Sequence, residues 1–258
     1  MLLNVKNLNK SYKTQAILND INFEIEQNEI FGLVGESGCG KSTLARLIAR
    51  FEKPSAGEIL YKEENVHHLK KETLKKFRRN CQMIFQDNLS SLDPSMKMMA
   101  ALKEPLNNNY KMKETEKEAK IRALMEKVYL NEDILSRVPI CISGGERQRI
   151  NICRALMMSP ELMICDEITS SLDVITQNRL LKLLKLLNQE MGMTILFISH
   201  DIDAVKSISD RVMVMEKGKM VEMLSSENRF AYKHPYTKKL FESLPISHPS
   251  QRQSCVAI

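Results

Sequence analysis

No apolar run in this 258-residue chain approaches the roughly 18 residues that a membrane-crossing helix needs. The N-terminus alternates Asn and Lys with Leu instead of running from a charged to an apolar stretch, so it does not read as a secretion signal. These two absences predict a chain that stays in the cytoplasm. There is no Cys-x-x-Cys pair. The six cysteines, at positions 39, 81, 141, 153, 165 and 255, argue against a disulfide framework or a cysteine-rich metal site and read as small core residues. Repeats, low-complexity tracts and stripes of basic residues interleaved with aromatics are also missing. The formal charge of +6 comes from 38 basic and 32 acidic residues that are largely interspersed, so charge alone decides little.

What is present is a hydrophobic fraction of 43%, enough for a large core in one big domain or two interlocked smaller ones. Residues 21–26 alternate strictly between apolar and polar, the period of a half-buried strand, and predict an antiparallel β edge near the N-terminus. Ile30 to Val34 is apolar apart from one glycine. A glycine-rich turn follows, then a helical pattern on Leu44, Leu47 and Ile48. Leu162 to Cys165 and Thr194 to Ile198 read as two buried parallel strands. Between them Leu180, Leu183, Leu184 and Leu187 trace one face of a crossover helix, with Gly192 as its cap. Val212 to Met215 and Met220 to Glu222 flank a hairpin turn at 216–219. From about residue 87 to 140 strands are hard to find, and 111–128 is charged and helix-prone, which predicts a helical insertion. The stretch beyond Ser225 is polar and reads as a tail whose end is loosely held.

The segment 35–42, Gly-Glu-Ser-Gly-Cys-Gly-Lys-Ser, fits a phosphate-binding loop whose glycines let backbone N–H groups and a helix N-terminus converge on phosphate oxygens. Lys41 suits the β- and γ-phosphates and Ser42 suits Mg²⁺; Gly35, Glu36, Ser37, Gly38, Cys39, Gly40 and Thr43 complete the predicted ATP-binding set. Asp166 and Glu167 stand at the C-terminal end of a buried strand, where open α/β sheets bind ligands. Asp166 can orient Mg²⁺, and Glu167, pointing elsewhere, can hold an attacking water in line with the γ-phosphate. An isolated Asp-Glu pair is usually a solvated strand end; the phosphate loop upstream is what gives this one weight.

Residues 142–149, Ile-Ser-Gly-Gly-Glu-Arg-Gln-Arg, resemble the signature sequence of ABC ATPases, and the motifs fall in that family's order over about residues 3–222. Ser143, Gly144, Gly145 and Glu146 open a helix whose N–H groups and dipole suit an anion, worth about 0.3–2 kcal/mol. An isolated Ser-Gly-Gly would more simply be an N-cap. The resemblance implies that this signature completes the ATP site of an opposing subunit, so that two chains sandwich two ATP molecules. It further implies Tyr12 as the aromatic stacked on adenine, Gln86 as the sensor of γ-phosphate and Mg²⁺, Asp173 as a dimer contact and His200 as the switch histidine, with Glu167, His200 and Gln86 catalytic. Ser42, Gln86 and Asp166 form the implied Mg²⁺ set. The sequence departs from the family at Ile142, where Leu is usual, and at Ile168, where Pro commonly follows the Asp-Glu pair; both keep apolar volume.

The implied fold class is α/β: a P-loop NTPase, RecA-like core with an antiparallel β subdomain and an inserted helical subdomain. The expected division is 1–86 with 150–224 for the core, 87–149 for the helical insertion and 225–258 for the tail. The segments 85–94 and 234–240 are similar to those of the oligopeptide, dipeptide and nickel importer family. That likeness implies an ATP-hydrolysing subunit, using ATP and Mg²⁺, at the cytoplasmic face of the membrane. Its cargo would be nickel, another chelated metal or oligopeptides. Its expected partners are two membrane-spanning permease subunits, a second and non-identical ATPase subunit, and indirectly an extracellular substrate-binding protein, with no nucleic acid. Met96, Met98 and Met99 are expected either to line a groove for a coupling helix or to fill a helical core. His67 and His68, in a Lys-rich stretch without a third ligand, read as exposed surface. The alternative function is a soluble ABC ATPase acting on ribosomes or nucleic acid. Its disfavouring features are the single ATPase unit and the short insertion.

Overall fold

The computed structural model describes residues 1–85 and 92–242. Gln86 and Cys255 lie outside them. Strands β1 (Leu3–Tyr12), β2 (Gln15–Ile25), β3 (Ile30–Val34), β4 (Ala56–Tyr61) and β5 (Glu64–Asn65) come first, with helix α1 (Lys41–Ile48) after β3. Helix α2 (Lys71–Asn80) and β6 (Cys81–Ile84) lead to α3 (Met98–Asn109), α4 (Glu114–Lys127) and α5 (Gly144–Leu156). Then follow β7 (Leu162–Asp166), α6 (Val174–Met191), β8 (Thr194–Ile198), α7 (Ile202–Ile208), β9 (Arg211–Glu216), β10 (Lys219–Ser225) and α8 (Pro235–Glu242).

Two sheets form. The smaller is antiparallel in the order β2-β1-β4-β5, which puts the alternating segment 21–25 on an edge strand as expected. The larger has the order β10-β9-β3-β8-β7-β6, parallel from β9 to β6 and closed at one edge by the antiparallel β9-β10 hairpin. Strands β3, β7 and β8 are buried along their whole length, which explains why they read as continuous apolar runs without alternation.

The pleat divides these strands between two cores. Phe31, Leu33, Leu162, Ile164, Leu196 and Ile198 face the core shared with α1 and the antiparallel sheet. Their neighbours Ile30, Val34, Met163, Cys165, Ile195 and Phe197 face the core shared with α3, α4, α5 and α6. The α/β fold class read from the sequence is thus observed. Cys39, Cys81, Cys153 and Cys165 are buried, whereas Cys141 is exposed. Burial raises the Cys81 and Cys153 thiols to about 12 and keeps them neutral.

Met98 is fully buried in the helical core and Met96 and Met99 pack half-buried against it, so these methionines fill a core. The expectation for His67 needs correction. Its ring is half-buried, with Nε2 3.1 Å from the Leu47 carbonyl, because Val66 and Leu69 on either side draw the segment onto the core behind α1. His68 is exposed. Beyond Ser225, α8 packs on β10; Phe230 and Tyr236 are buried, and the Glu222 carboxylate accepts the N–H groups of Lys233 and His234. Among the described residues no helix is long and apolar enough to cross a membrane.

Candidate functional site

The glycine-rich turn joins β3 to α1 at the C-terminal end of the parallel sheet. Gly40 takes a left-handed conformation with φ 108°, and a Cβ there would come within 2.7 Å of the Leu18 side chain, so any other residue in this turn is strained. No side chain caps α1, which leaves its first-turn N–H groups directed into a cleft of about 550 Å³. Ser37, Gly38, Gly40, Lys41, Ser42 and Thr43 form one wall of that cleft. The Lys41 ammonium is buried and donates to the Gly35 carbonyl (2.7 Å) and the Glu36 carbonyl (3.1 Å), so the loop's own backbone holds the cation in place.

The opposite wall is built by the ends of β7 and β8. Asp166, the last residue of β7, is buried and accepts a hydrogen bond from the Ser42 hydroxyl at 3.1 Å. Burial pushes its carboxyl above the ordinary carboxylate range, with Ser42 acting in the opposite direction. Glu167 then turns into the left-handed region, φ 53°, a backbone state costing about 1–3 kcal/mol and found where the surroundings enforce it. Here the enforcing contact is its own N–H, which donates to the Ile198 carbonyl of β8. The turn aims the Glu167 side chain into the cleft, where Oε2 lies 2.7 Å from Nδ1 of His200. Glu167 is nearly buried and His200 is mostly exposed, so the pair runs from the interior to the cleft mouth.

The remaining predicted residues sit elsewhere. Tyr12 ends β1 at the cleft rim beside Thr43; its hydroxyl bonds to Glu52 and the Lys10 ammonium lies 4.6 Å above its ring. The glutamate neighbour raises the phenol's pKa. Ser143 caps α5 in a reciprocal box: its N–H and hydroxyl both donate to Glu146 Oε2 at 2.7 Å, while the Glu146 N–H donates back to the Ser143 hydroxyl at 3.3 Å. Asp173 caps α6 and is exposed. A Cβ on Gly145 would lie 2.9 Å from Thr176, so the signature turn and the start of α6 are neighbours. Neither of them lines the cleft that holds Lys41 and Glu167.

Two contacts were not foreseen from sequence. Ile17 of β2 lines the cleft, and the Tyr236 hydroxyl of α8 accepts the Glu36 N–H at 3.2 Å, tying the C-terminal helix to the phosphate loop. The motif that contains Tyr236 was visible, but a contact across 200 residues leaves no local pattern.

The family model described as ABC transporter matches residues 18–170. The oligopeptide transport ATP-binding protein OppF of Bacillus subtilis is 42% identical over 99% of this chain and 86% of its own length. The chain belongs to the ABC transporter family. The dipeptide transport ATP-binding protein DppF of Haemophilus influenzae is 39% identical over all of this chain and 82% of its own. The structure of the ATP-binding cassette MJ0796, a dimer in a post-hydrolysis state bound to ADP and Pi, matches with a TM-score of 0.78 and 28% identity over 87% of this chain and 98% of that one. This ABC protein is therefore an ATP-binding, ATP-hydrolysing subunit of an ABC importer, with the fold of that ATPase class.

Proposed function

We propose that this ABC subunit drives the uptake of oligopeptides or dipeptides, hydrolysing ATP in the cleft between the phosphate loop and the ends of β7 and β8. The observation that carries the reading is the convergence of Lys41, Ser42, Asp166, Glu167 and His200, from three separate elements, around one cleft. The phosphate tail would lie along the uncapped N–H groups of α1 with Lys41 beside the β- and γ-phosphates. Glu167 would hold the attacking water by accepting a hydrogen bond from it, and His200, bonded to that carboxylate, would keep it in place. The Ser42 hydroxyl and the buried Asp166 carboxylate are hard oxygen donors side by side, a set that suits Mg²⁺. Bound there, with Gln86 as an expected third contributor, the ion would neutralise charge on the β- and γ-phosphate oxygens.

Ser143 and the following glycines would reach the γ-phosphate of ATP held by a facing subunit, with Asp173 in the same contact and Tyr12 against the adenine. The division into a core of 1–86 with 150–224, a helical insertion of 87–149 and a tail of 225–258 belongs to the same reading. Two permease subunits, a second and non-identical ATPase subunit, and an extracellular binding protein would complete the importer, with this chain peripheral at the cytoplasmic face. Peptide is favoured over nickel or another chelated metal because the relatives described above are named for oligopeptide and dipeptide transport.

The test is Glu167→Gln. The variant is expected to bind ATP, to hydrolyse it about 10²–10³-fold more slowly than the parent, and to accumulate an ATP-bound dimer, with itself or its partner ATPase, on size exclusion. Hydrolysis at the parent rate would remove Glu167 from its assigned role.

A further inference from the structure

A second cleft, of about 500 Å³, lies away from the nucleotide cleft and is lined by residues of α5 and α6 and by Tyr129, just past the end of α4. Its charged groups are all cationic: Arg149 on α5, the helix that starts at the signature, and Arg179 and Lys182 on α6. Its apolar wall is the exposed Tyr129 ring with Leu183 and Leu186. On α6 the positions 179, 182, 183 and 186 follow the spacing that puts side chains on one helical face, so cations and leucines share the stripe that borders the cleft.

None of the three cations has an ion-pair partner among the described residues. Glu146, whose charge reaches Arg149, is hydrogen-bonded to Ser143 at the helix cap, and Glu190 on α6 pairs with Lys127 at 2.9 Å. Arg149 shows the deficit most clearly. Its Nε is buried and has no hydrogen-bond partner, a rare state for so strong a donor. Burial lowers its pKa, with the Glu146 charge opposing the shift and the Arg179 charge adding to it.

We propose that this cleft binds a small amphipathic anion, a carboxylate carried on a short apolar chain. The carboxylate sits among the Arg149, Arg179 and Lys182 charges, and the chain lies on Leu183, Leu186 and the Tyr129 ring. A ligand seated there joins α5, whose N-terminus carries the signature, to α6, whose N-terminus Asp173 caps.

The experiment is isothermal titration of the full chain, with its nucleotide cleft saturated by ADP, using octanoate as probe and inorganic phosphate and octanol as the charged and apolar halves taken separately. One octanoate per chain is expected, bound more tightly than either half. The Arg179→Ala, Lys182→Ala double variant removes only exposed side chains; it should keep the parent melting temperature and bind octanoate at least about tenfold more weakly. The proposal falls if octanoate does not bind, if this variant binds it as the parent does, or if phosphate or octanol alone matches it. Melting of the variant well below the parent would move the test to Arg179→Gln, judged by the same tenfold criterion.

Discussion

The helix after the phosphate loop and the helix that carries the signature both begin at glycine-rich turns, yet their first-turn N–H groups are treated in opposite ways. At α1 no side chain covers them, Gly40 leaves the turn open, and the nearest cation, Lys41, is held in place by backbone carbonyls. At α5 the hydroxyl of Ser143 and the carboxylate of Glu146 satisfy each other's backbone groups in a closed box. In the proposed reading, one turn is open to phosphate already in the isolated chain. The other is folded and satisfied without it, and a phosphate reaching Ser143 has to compete with Glu146 for the hydroxyl. In the proposed two-chain site, the phosphate loop is then a standing receptor, whereas the signature engages only when a facing chain brings ATP to it.

The largest break in this comparison is expected from Lys41→Ala, which takes the fixed cation from the open turn. ATP hydrolysis should fall by about 10²-fold or more, read by steady-state phosphate release. Next is Gly40→Ala. The left-handed backbone and the close approach of Leu18 should lower stability by about 1–3 kcal/mol, measured by urea unfolding. On the closed side, Glu146→Ala should cost about 1 kcal/mol of stability, while Glu146→Gln, which can still accept from the Ser143 N–H, should stay near the parent. Unfolding midpoints of the two variants side by side separate capping from charge.

Tyr236→Phe removes one hydrogen bond from behind the phosphate loop. It should weaken ADP binding by up to about fivefold, corresponding to about 1 kcal/mol, with the melting temperature little changed. The smallest effect has the opposite sign. The folded state raises the Asp166 pKa, so with neither nucleotide nor Mg²⁺ bound, this group costs stability as pH rises through the carboxylate range. Asp166→Asn should therefore melt above the parent at neutral pH in ligand-free buffer, and the gap should close at acid pH, below the ordinary Asp pKa. Equal melting temperatures at both pH values would contradict that sign.

What could be read in advance followed from local pattern. β8 has the bounds its apolar run predicted, β3 likewise, and Leu180, Leu183, Leu184 and Leu187 are all buried on α6. Lys41, Ser42, Asp166 and Glu167 could be singled out because each sits within or beside a short segment at the end of a strand, whereas His200 came from the family resemblance alone. Other elements lacked a period to read. β1 carries register shifts between Val5 and Leu8 and again near Lys10, which scramble its alternation. α2 buries only Phe77, so its charged face hid the helix. The Tyr236 contact, the docking of His67 and the place of Ile17 depend on chain segments meeting in space, and no spacing rule encodes them.

The sheet order also bears on how the chain is made. β3, which leads into the glycine-rich turn, is made before both of its sheet neighbours, β8 and β9: Ile30 pairs with Ile195 and Phe31 with Arg211. Before those two strands are made, β3 is an apolar ribbon with both edges unpaired. The cleft proposed for nucleotide can form only after β8 and β9 have been made, and Tyr236 reaches the loop later still. Until β8 and β9 pair with it, β3 therefore presents two open apolar edges, the kind of surface that invites pairing with another chain.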